Sequence, residues 1–418
     1  MKGLEITFAS FYLKNGVIFG PHTRTMQKRI ILKNKKAAAV QRFHPWVFSG
    51  AVKAIEGQVE DGDVVEVVLE DGHFLATGHY QDGSICVRVF SFSPGQPDQA
   101  FWNQKIAQAL ACRRALGLVD GPQTDCYRLV HGEGDGLPGL IIDIYGQTAV
   151  IQCHSIGMHR TLDQLVGALR ENYGNTLAAV YDKSAETLPT EYGSRVKNSY
   201  LFGEGAPHVV QEYGNTFWID WESGQKTGFF LDQRENRRLA GQYAHDKKVL
   251  NAFCYTGGFS IYALQAGARF VDSVDVSRKA MEITDRNVQL NEIEPGRHQS
   301  HVEDVMAFLK STEADYDMMI VDPPAFAKSI KKRHNAVQGY KRLNALALSK
   351  LKPGGILFTF SCSQVVDKAL FYNTIVAAAL EARRQVRVLH HLSQPPDHPV
   401  SIFHPEGEYL KGLVLYVE

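Results

Sequence analysis

The segment 318–330, MMIVDPPAFAKSI, joins an apolar run to a carboxylate, two prolines and an aromatic residue. The apolar run is typical of a buried strand. Proline has a fixed φ and no N–H, so Pro323 and Pro324 end that strand rigidly and leave carbonyl oxygens free to accept hydrogen bonds. Asp322 adds a carboxylate and Phe326 a stacking face at the same strand end. A plain turn with a buried phenylalanine is the alternative interpretation.

Acidic residues also close two earlier strands. Asp275 follows the run RFVDSV, and Glu303 and Asp304 follow RHQSHV. In an open parallel sheet, ligands bind beyond the carboxyl ends of the strands, so these acids are expected at one site. Gly257 and Gly258 do not complete the GxGxxG pattern of a dinucleotide fold. The acids favour a nucleoside without phosphates, which needs hydroxyl and amine acceptors, although each acid alone also suits a loop or helix cap.

Six cysteines are scattered through the chain without CxxC spacing. This spacing argues against a zinc site and a disulfide framework, and it fits the reducing cytoplasm, where we expect the protein. No metal site is predicted. Cys362 ends the strand FTFS, where a nucleophile would face the same edge as Asp322. The usual fate of a cysteine is a small buried hydrophobe, which suits the other five: Cys86, Cys112, Cys126, Cys153 and Cys254.

These residues belong to a regular alternation of helices and strands that begins after about residue 230. Such alternation predicts an α/β fold, with a parallel sheet covered by helices on both faces. A helix-free loop joins the last two strands, which predicts an antiparallel final strand. We predict a flexible extension at residues 1–26, a β-rich domain at 27–97, a central α+β domain at 98–212 and the α/β domain at 213–418.

Composition sets wide limits on function. The chain has 418 residues, enough for two or three domains, with 44% hydrophobic and 22% charged residues, as in ordinary globular proteins. Its net charge is zero, so nucleic-acid binding has to come from local basic patches. No uninterrupted apolar stretch approaches the roughly 18 residues of a membrane span, and we expect no membrane association.

Four motifs together resemble one enzyme family: GQKTGFFLDQRENR at 224–237, NAFCYTGGFS at 251–260, VDPPAFAKS at 321–329 and FSCS at 360–363. They closely resemble the 23S rRNA 5-methylcytosine methyltransferase family, whose members are class I S-adenosylmethionine-dependent enzymes with an N-terminal PUA domain. HPWVFSGAV at 44–52 is similar to the PUA segment of that family, and RLVHGEGDGLPGLIID at 128–143 to its central domain. The resemblance begins near residue 27 and implies a Rossmann-like methyltransferase sheet at the C-terminal end.

The resemblance implies S-adenosylmethionine as the cofactor and assigns roles to residues. Asp232 would contact the methionine ammonium, Asp275 the ribose and Asp304 the adenine amine. The implied cofactor-binding residues are Phe230, Asp232, Arg234, Asn251, Phe253, Tyr255, Gly257, Asp275, Asp304 and Asp322. The implied substrate-binding residues are Pro323, Pro324, Phe326, Lys328, Lys331, Lys332 and Arg333. The implied catalytic residues are Cys362 and Asp322.

The implied reaction forms 5-methylcytosine in 23S ribosomal RNA. Carbon 5 of cytosine is a poor nucleophile, so a thiolate has to add to carbon 6 first. Cys362 is the candidate, and we expect an accessible thiol with a lowered pKa. Two alternatives stay open. The protein could methylate a nitrogen of the base, a reaction that needs no thiol, or it could be a non-catalytic RNA-binding scaffold. The expected partner is 23S ribosomal RNA, and the protein could form a homodimer.

Overall fold

The computed structural model describes residues 28–313, 316–327 and 329–418. The predicted extension at 1–26 and the substrate-binding candidate Lys328 lie outside these residues. Sheets of six, five, two and seven strands follow one another along the chain. Within the described part, no helix combines the length and the apolar character needed to cross a membrane.

The N-terminal unit is a six-stranded sheet with one short helix. Its elements are β1 (Arg29–Leu32), α1 (Ala38–Gln41), β2 (Trp46–Phe48), β3 (Val52–Glu56), β4 (Val64–Leu69), β5 (Phe74–Tyr80) and β6 (Ile85–Ser91). The strand order is β2–β6–β5–β4–β1–β3. Ile30 and Leu32 are fully buried while their neighbours are half-buried, as expected when alternate side chains of a strand face one core.

The central unit combines a five-stranded sheet with helices, and a hairpin follows it. Its elements are α2 (Gln99–Ala115), β7 (Cys126–His131), β8 (Leu140–Tyr145), β9 (Thr148–Cys153), α3 (Ile156–Arg160), α4 (Leu162–Tyr173), β10 (Ala179–Asp182), α5 (Thr190–Gly193) and β11 (Ser199–Phe202), and the hairpin is β12 (Val209–Glu212) and β13 (Asn215–Trp218). Trp102, Ile106 and Leu110 form the buried face of α2, as their spacing predicts. The predicted domain boundary after residue 212 falls in the turn of the hairpin.

The C-terminal unit is a seven-stranded, mostly parallel sheet. Its elements are α6 (Arg234–Gln242), β14 (Lys248–Ala252), α7 (Gly258–Gln265), β15 (Phe270–Asp275), α8 (Arg278–Leu290), β16 (His298–Val302), α9 (Val305–Ser311), β17 (Tyr316–Val321), α10 (Arg333–Lys350), β18 (Leu351–Ser361), α11 (Lys368–Ala382), β19 (Val386–Leu392) and β20 (Lys411–Val417). The strand order is β16–β15–β14–β17–β18–β20–β19. β20 runs antiparallel between β18 and β19, which confirms the predicted direction of the final strand.

Two hydrophobic cores lie on opposite faces of this sheet. In β17, Met319 and Val321 belong to the core beneath α10 and α11, while Met318 and Ile320 face the core beneath α6 and α7. All four side chains are fully buried, and each contributes about 1.5–3 kcal/mol by leaving water. The strand that ends in Asp322 is therefore held firmly from both sides.

Candidate active site

The loop between β14 and α7 has an unusual backbone conformation. Phe253, Tyr255 and Gly257 have φ values of 59°, 48° and 78°. Positive φ is strained for a bulky residue, and such strain clusters at functional sites. A Cβ on Gly257 would lie 2.6 Å from Thr284 Cγ2 of α8, so glycine is required at this close approach. The loop is thus fixed in one shape at the carboxyl end of β14.

Asp275 ends β15 beside this loop and holds it through the backbone. Its Oδ2 accepts a hydrogen bond from Tyr255 N at 3.1 Å, and its Oδ1 accepts one from Ser277 N at 2.9 Å. An ionised carboxylate has about four acceptor positions, so each oxygen keeps room for another donor. The remaining capacity suits the two hydroxyls of a ribose, the role that the resemblance implies.

The segment 224–233 packs over the same loop. Tyr255 Oη accepts from Gln225 N at 2.9 Å and donates to Gly228 O at 3.3 Å. The rings of Phe230 and Tyr255 meet edge to face, with centroids 5.1 Å apart. These contacts bring Phe230 to the carboxyl ends of the strands, together with the aspartate that follows two residues later.

Three of the predicted cofactor-binding residues have other partners. Asn251 is buried in β14 and donates to a serine hydroxyl of α7 at 2.9 Å. Arg234 is fully buried, and its Nη2 donates to Asp397 Oδ2 at 2.8 Å. Asp304 is exposed and caps α9 by accepting from a backbone N–H at 2.9 Å. Asn251 and Arg234 therefore hold surrounding segments in place, and Asp304 keeps one oxygen at the surface. Arg234 Nε and Nη1 are buried and find no hydrogen-bond partner among the described residues. Cofactor contact by these three residues stays a prediction.

Asp322 follows β17 at the same edge of the sheet. Its Oδ2 accepts from Gln233 Nε2 at 3.0 Å, and Gln233 Oε1 in turn accepts from Asn236 Nδ2 at 2.6 Å. This chain fixes the amide so that its donor faces the carboxylate. Burial and, secondly, the charge of Asp232 raise the pKa of Asp322 to about 7. Near neutral pH this group exists both as an acid and as a carboxylate.

Cys362 directly follows β18, the strand that pairs with β17, as the sequence predicts. Its side chain is partly exposed, in contrast to the buried Cys254. Burial raises the pKa of the Cys362 thiol to about 11, and the charges of Asp322 and Asp232 add to this effect. The expectation of a lowered pKa is therefore wrong, because burial, and after it two nearby carboxylates, disfavour the thiolate.

Tyr409 is a site residue that the sequence analysis did not select. Its Oη donates to Asp232 Oδ2 at 2.7 Å. The other oxygen, Asp232 Oδ1, is buried and finds no hydrogen-bond partner among the described residues. The two residues are 177 positions apart, so no local pattern connects them. The fold thus leaves one buried carboxylate oxygen open to a donor.

Lys411 is a second residue that the sequence analysis missed. It is buried at the start of β20, and its Nζ donates to Ser363 O and to Val366 O, each at 2.7 Å. These bonds hold the segment that follows Cys362. The positive charge of Lys411 also opposes, in part, the rise in the pKa of the Cys362 thiol. Lys411 therefore both positions the thiol and favours its ionisation.

Phe326 links the strand end of β17 to that of β18. Its ring packs on Tyr340 of α10 with centroids 4.6 Å apart, and Tyr340 Oη shares a hydrogen bond with Ser363 Oγ at 3.1 Å. Phe326 nevertheless stays 36% exposed, which does not fit the alternative of a buried turn phenylalanine. One aromatic face is thus available beside Cys362 and Asp322.

A family model of S-adenosylmethionine-dependent methyltransferases matches residues 152–411. The chain belongs to this family. A second model, of a PUA-like domain, matches residues 30–92 of the methyltransferase. The predicted α/β fold, the PUA-like unit and S-adenosylmethionine as cofactor are confirmed.

Curated relatives align with almost the whole methyltransferase. The ribosomal RNA large subunit methyltransferase I of Tolumonas auensis is 38% identical over 398 residues, which are 93% of this chain and 99% of the relative. The protein of the same name from Escherichia coli O139:H28 is 38% identical over 399 residues, 94% of this chain and 100% of the relative. A solved structure described as an S-adenosylmethionine-dependent methyltransferase from Streptococcus mutans shares the fold, with a TM-score of 0.78 and 22% identity over 93% of this chain and 99% of that chain.

The site of the methyltransferase fits its cofactor on structural grounds. The unpartnered Asp232 Oδ1 is a buried acceptor that matches an ammonium group. The spare acceptor positions of Asp275 match ribose hydroxyls. At Gly257, the absence of a side chain allows the loop to pass close to α8 without a clash. The two carboxylates thus match parts of S-adenosylmethionine that carry hydrogen-bond donors and no phosphate.

The three described basic candidates follow the 322–326 strand end closely in the chain. Lys331, Lys332 and Arg333 are exposed where α10 of the methyltransferase begins. A helix N-terminus carries a partial positive charge that adds to the charge of these side chains. Their contact with RNA phosphates stays a prediction.

We expect the change Asp322→Asn to stabilise the methyltransferase in a pH-dependent way. Because folding raises the pKa of Asp322 from 3.8 to about 7, ionising it in the folded protein costs free energy that accumulates as the pH rises through this window. The gain in the free energy of unfolding should be near zero at pH 4 and reach about 1–3 kcal/mol at pH 8. Urea unfolding of both proteins at the two pH values tests this, and an equal difference at both would contradict it.

We expect the change Lys411→Met to lower kcat by about 10- to 100-fold, because the segment after Cys362 loses both hydrogen bonds that fix it. The limb of the pH profile over which the rate rises should also move to higher pH, since a cation that favours the thiolate is removed. Lys368→Met is the matched control: Lys368 is exposed and pairs with Glu408, so its loss should change the rate less than about 3-fold. A normal pH profile for Lys411→Met would refute the electrostatic part of this role.

Proposed function

We propose that the methyltransferase forms 5-methylcytosine in the 23S ribosomal RNA of the large subunit, with Cys362 as the nucleophile. The proposal is carried by a partly exposed thiol after β18, beside the Asp322–Pro323–Pro324 end of the neighbouring β17. The names of the 38% identical relatives support large-subunit ribosomal RNA as the substrate. The PUA-like match at residues 30–92 supports RNA binding by the N-terminal unit.

In this proposal, the carboxyl ends of β14 to β17 hold the cofactor. Bound S-adenosylmethionine supplies an electrophilic methyl group. Asp232 Oδ1 accepts from the methionine ammonium, Asp275 from the ribose hydroxyls and the exposed oxygen of Asp304 from the adenine amine. Phe230 and Tyr255 cover this side of the site and exclude water from it.

The target cytosine enters as a base extruded from the RNA. The exposed face of Phe326 stacks on it, since aromatic rings stack on any base. The carbonyl oxygens of Pro323 and Pro324 accept from its exocyclic amine. Asp322, which is half protonated near pH 7, donates to N3 in its acid form. This hydrogen bond draws electron density from the ring and makes carbon 6 a better electrophile.

The thiolate of Cys362 then forms a bond to carbon 6. The π electrons of the C5=C6 bond move to carbon 5, which becomes nucleophilic and takes the methyl group, while the electron pair of the broken S–CH3 bond would stay on the sulfur of the departing S-adenosylhomocysteine. When a water molecule takes the proton from carbon 5, the electron pair of the C–H bond restores the C5=C6 bond and expels the thiolate. The positive charge of Lys411 stabilises the Cys362 thiolate both before it adds to carbon 6 and when it is expelled.

A second candidate function is methylation of the exocyclic nitrogen of the base. It is favoured by one observation, the raised pKa of the Cys362 thiol, since a thiol that is not a nucleophile has no need of ionisation. In that case the proline carbonyls and Asp322 would hold the amine, and Cys362 would be a packing residue.

Nucleoside mass spectrometry of ribosomal RNA distinguishes these functions. RNA from a deletion strain should lack one 5-methylcytosine, and expression of the wild-type chain should restore it. The nitrogen-methylated isomer has the same mass but a different retention time, so its appearance would refute our proposal. A scaffold would leave the nucleosides of both strains identical.

A further inference from the structure

A cluster of two histidines and one glutamate lies where the PUA-like unit meets the C-terminal unit. His44 precedes β2, while His404 and Glu406 lie in the segment 393–410 between β19 and β20. The ligand atoms of the three side chains all lie within 4.8 Å of one another. Neither the proposed methyl transfer nor the core of either unit accounts for this convergence.

The separations of the three ligand atoms are compatible with one shared metal ion. His404 Nδ1 and His44 Nε2 lie 3.1 Å and 3.8 Å from Glu406 Oε2. Ligands of a tetrahedral zinc ion, each about 2.0–2.2 Å from the metal, are about 3.3–3.6 Å apart. The three atoms therefore need only small shifts to share one ion.

His404 itself points to a missing ligand. Its side chain is 3% exposed, and its Nδ1 has no partner in hydrogen-bond geometry within the described ranges. Its ring packs against Trp46 with centroids 4.3 Å apart, which fixes the ring plane. Glu406 Oε2 lies 3.1 Å from this nitrogen but outside hydrogen-bond geometry, and a cation bound between the two atoms would satisfy both.

Trp46 fixes the orientation of the His44 ring. Trp46 N donates to His44 Nδ1 at 3.2 Å, and Trp46 O lies 3.3 Å from the same nitrogen. The other nitrogen, Nε2, lies 3.8 Å from Glu406 Oε2. Metal binding by Nε2 would place the ring proton on Nδ1, which would then donate to Trp46 O, as metal-bound histidines commonly donate to a backbone carbonyl.

We propose that His44, His404 and Glu406 bind one divalent transition-metal ion of the zinc class, with water in the fourth position. Two imidazoles and one carboxylate form a ligand set that zinc accepts. The cysteine spacing that predicts no zinc site does not bear on histidine and glutamate ligands. The ion joins the PUA-like unit to the segment 393–410, which also carries Tyr409 and so reaches Asp232.

Zinc titration of the full-length protein, stripped with a chelator, tests this proposal. The wild-type chain should bind one Zn²⁺ per chain, and its thermal midpoint should rise when Zn²⁺ is added. Glu406→Gln is the decisive variant: its side chain is 56% exposed, so the fold tolerates the change, while zinc affinity should fall by about 100-fold. His404→Ala should bind no zinc at this site, but it also removes a buried ring.

Two matched controls exclude binding elsewhere. His73→Ala removes an exposed histidine of the PUA-like unit, and Cys112→Ser removes an exposed thiol. Both should bind Zn²⁺ with wild-type affinity and stoichiometry. The proposal is overturned if the wild-type chain binds no stoichiometric zinc, or if Glu406→Gln binds it as tightly as the wild type does.

Discussion

Replacing Cys362 with serine is expected to lower kcat by about 1,000-fold or more, with little change in S-adenosylmethionine affinity. Serine occupies nearly the same volume, but its hydroxyl is a far weaker nucleophile than a thiolate, so addition to carbon 6 becomes rate-limiting. The measurement is single-turnover transfer of a labelled methyl group to ribosomal RNA, together with calorimetric titration of the cofactor.

The control for this variant is Cys112→Ser, because Cys112 is exposed on α2, outside the C-terminal sheet, and should leave the rate unchanged. The wild-type rate should also rise with pH, about tenfold per unit at most, up to about pH 7, because the thiolate fraction of Cys362 increases. Above that pH it should level off, because the acid form of Asp322 is lost as the thiolate is gained. A fully active Cys362→Ser would exclude the covalent route and leave nitrogen methylation as the function.

The change Asp275→Ala is expected to weaken S-adenosylmethionine binding by about 10- to 100-fold. Hydrogen bonds to a charged group are worth about 1.5–3 kcal/mol, and the variant loses those to the ribose hydroxyls. It also releases Tyr255 N and Ser277 N, so the loop after β14 becomes less well fixed. Calorimetric titration of the folded variant measures the change in Kd.

Two other aspartates serve as comparisons for the change in S-adenosylmethionine Kd. Asp304→Ala should weaken binding less, because Asp304 is exposed and a hydrogen bond there competes with water. Asp285→Ala should leave the Kd within about 2-fold, since Asp285 is an exposed residue of α8 that bonds Ser300 and lies away from the strand ends. Wild-type affinity in a folded Asp275→Ala protein would place the ribose elsewhere.

Local sequence patterns were sufficient to predict the strands and the residues at their carboxyl ends. The run 318–321, the acids after β15 and β16, and the placement of Cys362 beside Asp322 all follow from alternating helices and strands, since parallel strands end at one edge. These features depend on neighbours in the chain or on a topology with few alternatives. They could therefore be predicted before any coordinates were known.

Features that depend on distant contacts could not be predicted in this way. Arg234 lies in a motif that suggests a ligand contact, yet Asp397 pairs with it from 163 positions away. Although burial opposes ionisation, Arg234 also keeps the pKa of Asp397 well below its usual range. The rise in the pKa of the Cys362 thiol likewise depends first on burial and then on the charges of Asp322 and Asp232, both of which only the folded chain provides.

The position of β20 has a consequence for biogenesis. It is made after every other strand of the sheet, yet it lies between β18 and β19 and pairs with β18 from Gly355 to Ser361. Until the ribosome has released β20, β18 and β19 have no common neighbour, and the backbone after Cys362 lacks its lysine anchor. The thiol of the proposed nucleophile is thus set in place only after β20, the last strand of this sheet to be made, has paired with β18.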